Sequence, residues 1–305
     1  MPRTPRFVPE GGALVEISCR TIQGRLLLRP TRLLRQIVVG ILARALARWS
    51  DVQLHAAVFL PNHYHLLITV PDARTMAAFM GFVNGLLSRK LGPLVGWSGP
   101  LWAKRYSHVP VTDEAKSQIA RLRYLLAHGV KEGLVLTPAD WPGFHCASAL
   151  TASDGRMQGT WTDATRACRD RARGRKNKPE TYDKSVELQL TPLPCWIHLS
   201  WDEIARRVQD LIEQITAEGK AQHKKVVGAE RLQRQNPNRR IAKPRRGPLP
   251  WCHAVSRTSR QAFIEARSLF LAAYHEAAAK WRKGDLDASF PLGCFRPPAP
   301  FVAAT

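Results

Sequence analysis

The sequence predicts an α+β protein in which helices pack on an antiparallel sheet, followed by a basic, mainly helical C-terminal extension. Three observations carry that expectation. Residues 1–150 read as strand, helix, two adjacent strands, helix, strand and helix, and the paired middle strands call for an antiparallel layer. A hydrophobic fraction of 45% over 305 residues is enough for a sizeable core. Beyond Ser153, clusters of Arg and Lys alternate with two long amphipathic segments.

Each element has a local reason. Residues 13–20 partly alternate between apolar and polar and read as a strand. Residues 33–49 repeat apolar positions at helical spacing behind Pro30 and Thr31. Residues 52–59 and 64–70 are apolar and β-favouring, and Pro61-Asn62 between them interrupts the ladder as a turn or bulge. A helix over 74–91 ends near Gly92-Pro93, a short strand covers 106–111, and a helix covers 113–128 with Thr112 as N-cap and Gly129 at its end. Residues 201–218 and 258–283 read as further helices. The expected division is a domain over 1–150, a basic linker over 151–195 and a basic, mostly helical extension over 196–305.

The charge balance narrows the class of partner. Lys and Arg total 46 against 24 acidic residues, giving a net charge of +22. An excess of that size attracts polyanions, of which nucleic acid is the usual one, with anionic lipid or no dedicated partner as the alternatives. Basic clusters stand at 166–178, from Arg166 to Lys178, and at 220–246, which includes Lys243, Arg245 and Arg246. Either is a nucleic-acid-contacting arm or a solvated linker. Six scattered cysteines contain no C-x-x-C pair, which argues against a zinc ribbon or a dense disulfide framework. No secretory signal is read at the N-terminus, and Arg35, Arg44 and Arg48 interrupt the most apolar helix, so a cytoplasmic protein without a membrane span is expected.

Two segments carry chemistry. His63 and His65 are two apart, so on a strand both imidazoles project from one face and form half of a divalent-metal site. An exposed, unligated histidine pair would show the same spacing. Downstream, Tyr124 and His128 are four apart and share a helical face. Laid over the sheet, that face would bring a phenol and a third ligand to the pair. The alternative is a core tyrosine and a histidine at a helix C-terminus, where a cation is favoured anyway.

The runs Pro61-Asn62-His63-Tyr64-His65 and Arg123-Tyr124-Leu125-Leu126-Ala127-His128-Gly129-Val130-Lys131-Glu132-Gly133-Leu134-Val135 resemble the HUH-type single-tyrosine transposases. The resemblance is in particular to the REP-associated tyrosine transposases and their insertion-sequence relatives. Members of this group show P-N-H-x-H on a strand and R-Y-I-x-x-N-P-V-x-x-G-L-V on a helix. The likeness spans roughly residues 10–150, including Trp102-Ala103-Lys104-Arg105-Tyr106 and Asp140-Trp141-Pro142.

The resemblance implies a ferredoxin/RRM-like nuclease domain with His63 and His65 as metal ligands and Tyr124 as nucleophile. His128 stands where the group has Asn, and Gly129 where it has Pro; imidazole remains a competent ligand, with a preference displaced from Mg2+ towards Mn2+ or another transition ion. The implied reaction is attack by Tyr124 on single-stranded DNA, leaving a 5′-phosphotyrosine and a 3′-hydroxyl, in DNA transposition. Hairpin-forming DNA ends are the implied partner, and a homodimer is left open. Lys104, Arg105, Arg121 and Arg123 are candidates for backbone contacts. Alternatives are a catalytically inactive DNA-binding protein that keeps the fold and an unrelated metal hydrolase using the histidine pair. Trp141, Phe144, Trp196, Trp201 and Trp251 read either as core aromatics or as platforms for bases.

Overall fold

In the computed structural model, residues 5–175, 177–241 and 249–298 are described. Lys176, Lys243, Arg245 and Arg246 of the basic clusters lie outside the described residues. The chain runs β1 (Ala13–Arg20), α1 (Arg32–Arg48), β2 (Gln53–Leu60), β3 (His63–Val70), α2 (Ala73–Leu94), β4 (Ser107–Val111) and α3 (Ala115–Leu126). It continues through α4 (Ala147–Leu150), β5 (Arg156–Thr162), α5 (Ala164–Ala172), β6 (Asp183–Gln189), α6 (Trp201–Gln222), α7 (Ala229–Gln233) and α8 (Arg257–Arg282). The architecture is α+β, as expected.

Strands β1 to β4 form one antiparallel sheet in the order β2-β3-β1-β4. Strand alternation splits β3 between two layers. Tyr64, Leu66 and Ile68 are fully buried on one face, where Tyr64 donates to Asn84 Oδ1 of α2 at 2.6 Å. His63 and His65 point the other way, towards α3. Helix α1 starts where expected because Thr31 Oγ1 accepts from Leu34 N at 3.1 Å. Asp72 caps α2 in the same manner, accepting from Arg74 and Thr75 N–H.

Both sheet edges are covered, which removes unpaired backbone from solvent. Beside β2, Phe59 N–H donates to Phe144 O and Cys146 N–H to Ala57 O. Beside β4, His253 N–H donates to Pro110 O at 2.8 Å and Thr112 N–H donates to His253 O at 3.0 Å. The C-terminal extension therefore completes the sheet rather than trailing from it.

Two local expectations are overridden by long-range contacts. Thr112 is not the cap of α3. Glu114 occupies that position, and its carboxylate accepts from Val255 and Ser256 N–H at 3.0 and 2.9 Å, with Thr112 Oγ1 also donating to it. Residues 151–195 carry more than a linker: β5 and β6 form an antiparallel ribbon packed against α1. A Cβ on Gly40 of α1 would overlap Thr160 O, and one on Gly159 would overlap Val39, so the ribbon approaches the helix through two glycines. The basic run at 166–172 is the outer helix α5, whose N-terminus is capped by Asp163.

Candidate active site

The β2–β3 turn is held from outside: Asn62 O accepts from both Thr21 N–H and Thr21 Oγ1, and Pro61 O from Leu28 N–H. It delivers His63 at the first position of β3 and His65 two residues on. Helix α3 lies over this face and ends at Leu126, after which the chain turns through residues 127–133. That geometry brings the ring of Tyr124 to 5.7 Å from His65 and 4.8 Å from His128, centre to centre. His63, His65 and His128 each offer a donor atom, and these atoms lie within 4.8 Å of one another.

Each imidazole is oriented by an oxygen on its Nδ1. Asn62 Oδ1 accepts from His63 at 2.6 Å, Glu16 Oε1 from His65 at 2.9 Å and Glu132 Oε1 from His128 at 3.0 Å. A ring that donates through Nδ1 keeps a lone pair on Nε2, so the pattern presents three Nε2 atoms as acceptors. Burial, then His65 and Lys131, hold the His128 pKa well below the usual histidine range, so it stays neutral as a ligand must.

Glu16 is the charge hub beneath the site. Its Oε2 lies 3.0 Å from His253 Nε2 and 3.6 Å from Arg121 Nη1. Burial would raise its pKa, but hydrogen bonds from His253 and His65 prevail and hold it well below the ordinary carboxylate range. Glu132 performs a second bracing role, because its Oε2 also accepts from Gly129 N–H at 2.6 Å. Gly129 has φ 92°, a value closed to proline, so the His128-Gly129 pair forms one coherent arrangement with Glu132.

The residues fit a divalent ion. His65 Nε2 is buried with no hydrogen-bond partner among the described residues, an expensive state unless something binds there. His128 Nε2 accepts a long contact from Lys131 Nζ, at 3.4 Å. An ion held by metal–nitrogen bonds of about 2.1 Å would draw the three donor atoms closer together than their present spread of up to 4.8 Å. An all-imidazole set favours a transition ion over Mg2+.

The basic residues named from sequence separate into two groups. Arg121 neutralises Glu16 and lies over the Tyr124 ring, its Cζ 4.9 Å from the centre, while Arg123 pairs with Glu218 of α6. Lys104 and Arg105 are exposed before β4. Of the aromatic candidates, Trp141, Phe144 and Trp196 are buried and Trp201 is partly buried, while Trp251 is 53% exposed. Sequence reading missed Glu16, Glu132, His253 and Lys131, whose Nζ lies 3.4 Å from the centre of the Tyr124 ring. Glu132 alone left a local signal, its four-residue spacing from His128.

No helix among the described residues is long and apolar enough to cross a membrane. No family model and no curated protein matches the chain. Among solved structures it is similar to a REP-associated tyrosine transposase bound to a REP hairpin, with 19% identity over 47% of this chain and 81% of that one, at a TM-score of 0.39. It is also similar to a Deinococcus radiodurans R1 protein assigned as a transposase, with 19% identity over 40% of this chain and 95% of that one, at a TM-score of 0.29.

Proposed function

We propose that this protein cuts and rejoins single-stranded DNA through Tyr124, with His63, His65 and His128 holding a divalent metal. The observation that carries the reading is the meeting, within one chain, of the Tyr124 ring with a three-imidazole cluster whose Nδ1 atoms are all engaged by oxygens. An unrelated core tyrosine and a surface histidine pair would not need that bracing.

In the proposed reaction the Tyr124 hydroxyl attacks a backbone phosphorus. The new Tyr–O–P bond forms as the P–O3′ bond breaks, and the phenolic proton ends on the departing 3′-oxygen. The products are a 5′-phosphotyrosine and a 3′-hydroxyl, and attack by a 3′-hydroxyl reverses the step without ATP. Bound metal would polarise the phosphate and offset charge developing on its oxygens. Lys131 and Arg121 both place a cation against the phenol ring, and Glu16, Asn62 and Glu132 fix the imidazoles. Residues 1–150 carry the chemistry in this reading, with the extension over 196–305 supporting it. Hairpin-forming single strands are the proposed substrate, in DNA transposition.

The test uses single-stranded hairpin oligonucleotides labelled at either end, with Mn2+. A 3′-end label should migrate with the protein under denaturing conditions and a 5′-end label should not. Tyr124→Phe should abolish the adduct. Its persistence in that variant would remove Tyr124 as nucleophile, and cleavage without any adduct would favour a metal hydrolase.

A further inference from the structure

A cleft of about 560 Å³ opens at the start of β4, between the N-terminal segment, residues 250–251 and α8. Arg6, Lys104, Arg105 and Arg267 line it, and among the described residues its lining contains no Asp or Glu. Arg6 is buried, donates through Nη2 to Tyr106 O at 2.8 Å and stacks over the Tyr106 ring. The positive field registers on two groups. Burial and Arg105 push Arg6 down to about 9, and burial with Arg6, Arg105 and Arg267 pushes His108 down to about 3. Like charges gathered this closely favour an anion between them.

The cleft also contains an aromatic platform. Trp251 is half exposed, and Arg267 lies against its ring with Cζ 4.6 Å from the centre. A ring backed by a guanidinium and open to solvent suits a stacked nucleobase, whereas phosphate alone would need no aromatic surface.

Sheet register ties this cleft to the metal face. His65 pairs with Ser18 and Ser18 with Ser107, so the three side chains form one row across the sheet. Ser107 lines the cleft, and both serines are partly exposed. Two strand spacings separate His65 from Ser107, on the order of 10 Å. A DNA strand engaged at the histidines can therefore cross Ser18 and Ser107 and enter the cleft.

We propose that this cleft is a subsite for the single-stranded DNA flanking the scissile phosphodiester, taking backbone phosphate on Arg105 and Arg267 and one base on Trp251. The proposal rests on the strand-transfer reading. It gives the C-terminal extension a direct part in substrate binding, through Trp251 and α8.

The test measures affinity and adduct formation of the full chain with Mn2+ on a cleavable oligonucleotide, alone and extended by flanking nucleotides on either side. Extension on one side should tighten binding about tenfold, the range of a stacked base. Trp251→Ala should lose that gain while leaving adduct yield on the shortest cleavable oligonucleotide within twofold, and Trp251→Phe should restore it. Arg267→Gln should reduce the slope of log affinity against log salt by about 0.7, one single-strand phosphate contact. Unchanged flank affinity in Trp251→Ala, or equal loss on the short oligonucleotide, would overturn the subsite and leave the strand-transfer reading intact. Competition by polyglutamate as strong as by DNA of equal charge would overturn its assignment to nucleic acid. Failure of the wild-type protein to form adducts on any oligonucleotide would instead count against the strand-transfer reading.

Discussion

His65 and His253 sit on opposite oxygens of the Glu16 carboxylate, at 2.9 and 3.0 Å, although 188 residues separate them in sequence, the difference between 253 and 65. Glu16 thereby couples a proposed metal ligand to the C-terminal extension. Removing a carboxylate that orients a ligating histidine costs about 10–100-fold in metal affinity. Glu16→Gln should fall in that range, and His253→Ala should weaken binding less, since Arg121 still neutralises Glu16. Titration with Mn2+ or Zn2+ on the folded variants measures both, and unaltered affinity in Glu16→Gln would remove the coupling.

His128 should set the choice of ion. Three imidazoles suit transition ions, and replacing one by an amide oxygen moves the set towards harder ions. His128→Asn should therefore narrow the ratio of Mn2+ to Mg2+ affinity. Paired titrations with the two ions give that ratio directly. An unchanged ratio would exclude His128 from the first coordination sphere.

Gly129 should not accept proline. Its φ of 92° is closed to the pyrrolidine ring, and its N–H is donated to Glu132 Oε2. Gly129→Pro should cost about 3 kcal/mol or more and weaken metal binding, because Glu132 would lose one of its two anchors. Denaturant midpoints and metal titration on the same samples separate the two effects. Wild-type stability in this variant would mean that the turn after α3 has another conformation.

Acid should destabilise the protein through buried neutral histidines. His55 stands at the β-bulge of β2, where Nδ1 donates to Pro192 O at 2.8 Å and Nε2 accepts from Thr69 Oγ1 at 2.8 Å. Burial outweighs the bonds to the Thr191 and Pro192 carbonyls and pushes its pKa down to about 4, against an unfolded value of about 6.5. Between these values the unfolded chain binds more protons. Stability is therefore full above about pH 6.5 and declines as pH falls towards 4, by about 1.4 kcal/mol per pH unit for this one group. His145, also held down to about 4 by burial, adds a decline of the same sign. Urea midpoints from pH 7 to 4.5 should show the slope, and His55→Gln should flatten it. An identical slope in the variant would place the proton uptake elsewhere.

Much of the sheet and the core of the site was legible in short windows. β1 falls at the expected residues, and β2, β3, α1 and α8 fall within one residue at each end, because each is specified by the alternation or helical period of its own side chains. The four-residue spacing of Tyr124 and His128 likewise anticipated their contact, even though α3 stops between them. The β5–β6 ribbon was obscured by the charged α5 and the loop inserted between its strands, and by the small residues through which it meets α1. Thr112 looked like a cap until Glu114 is seen to be drawn to Val255 and Ser256.

Local order along the chain was enough to predict strands, helices, a histidine pair on one face and a tyrosine one turn from a third histidine. The periods of strand and helix are backbone properties, and side chains two or four residues apart inherit them. Which remote groups stabilise that face followed from folding alone. Glu16 reads locally as a polar interruption in a strand, and His253 as a lone histidine in an extended segment. Their roles exist only because the extension pairs with the edge of β4, and burial there makes a shared carboxylate more favourable than isolated charges.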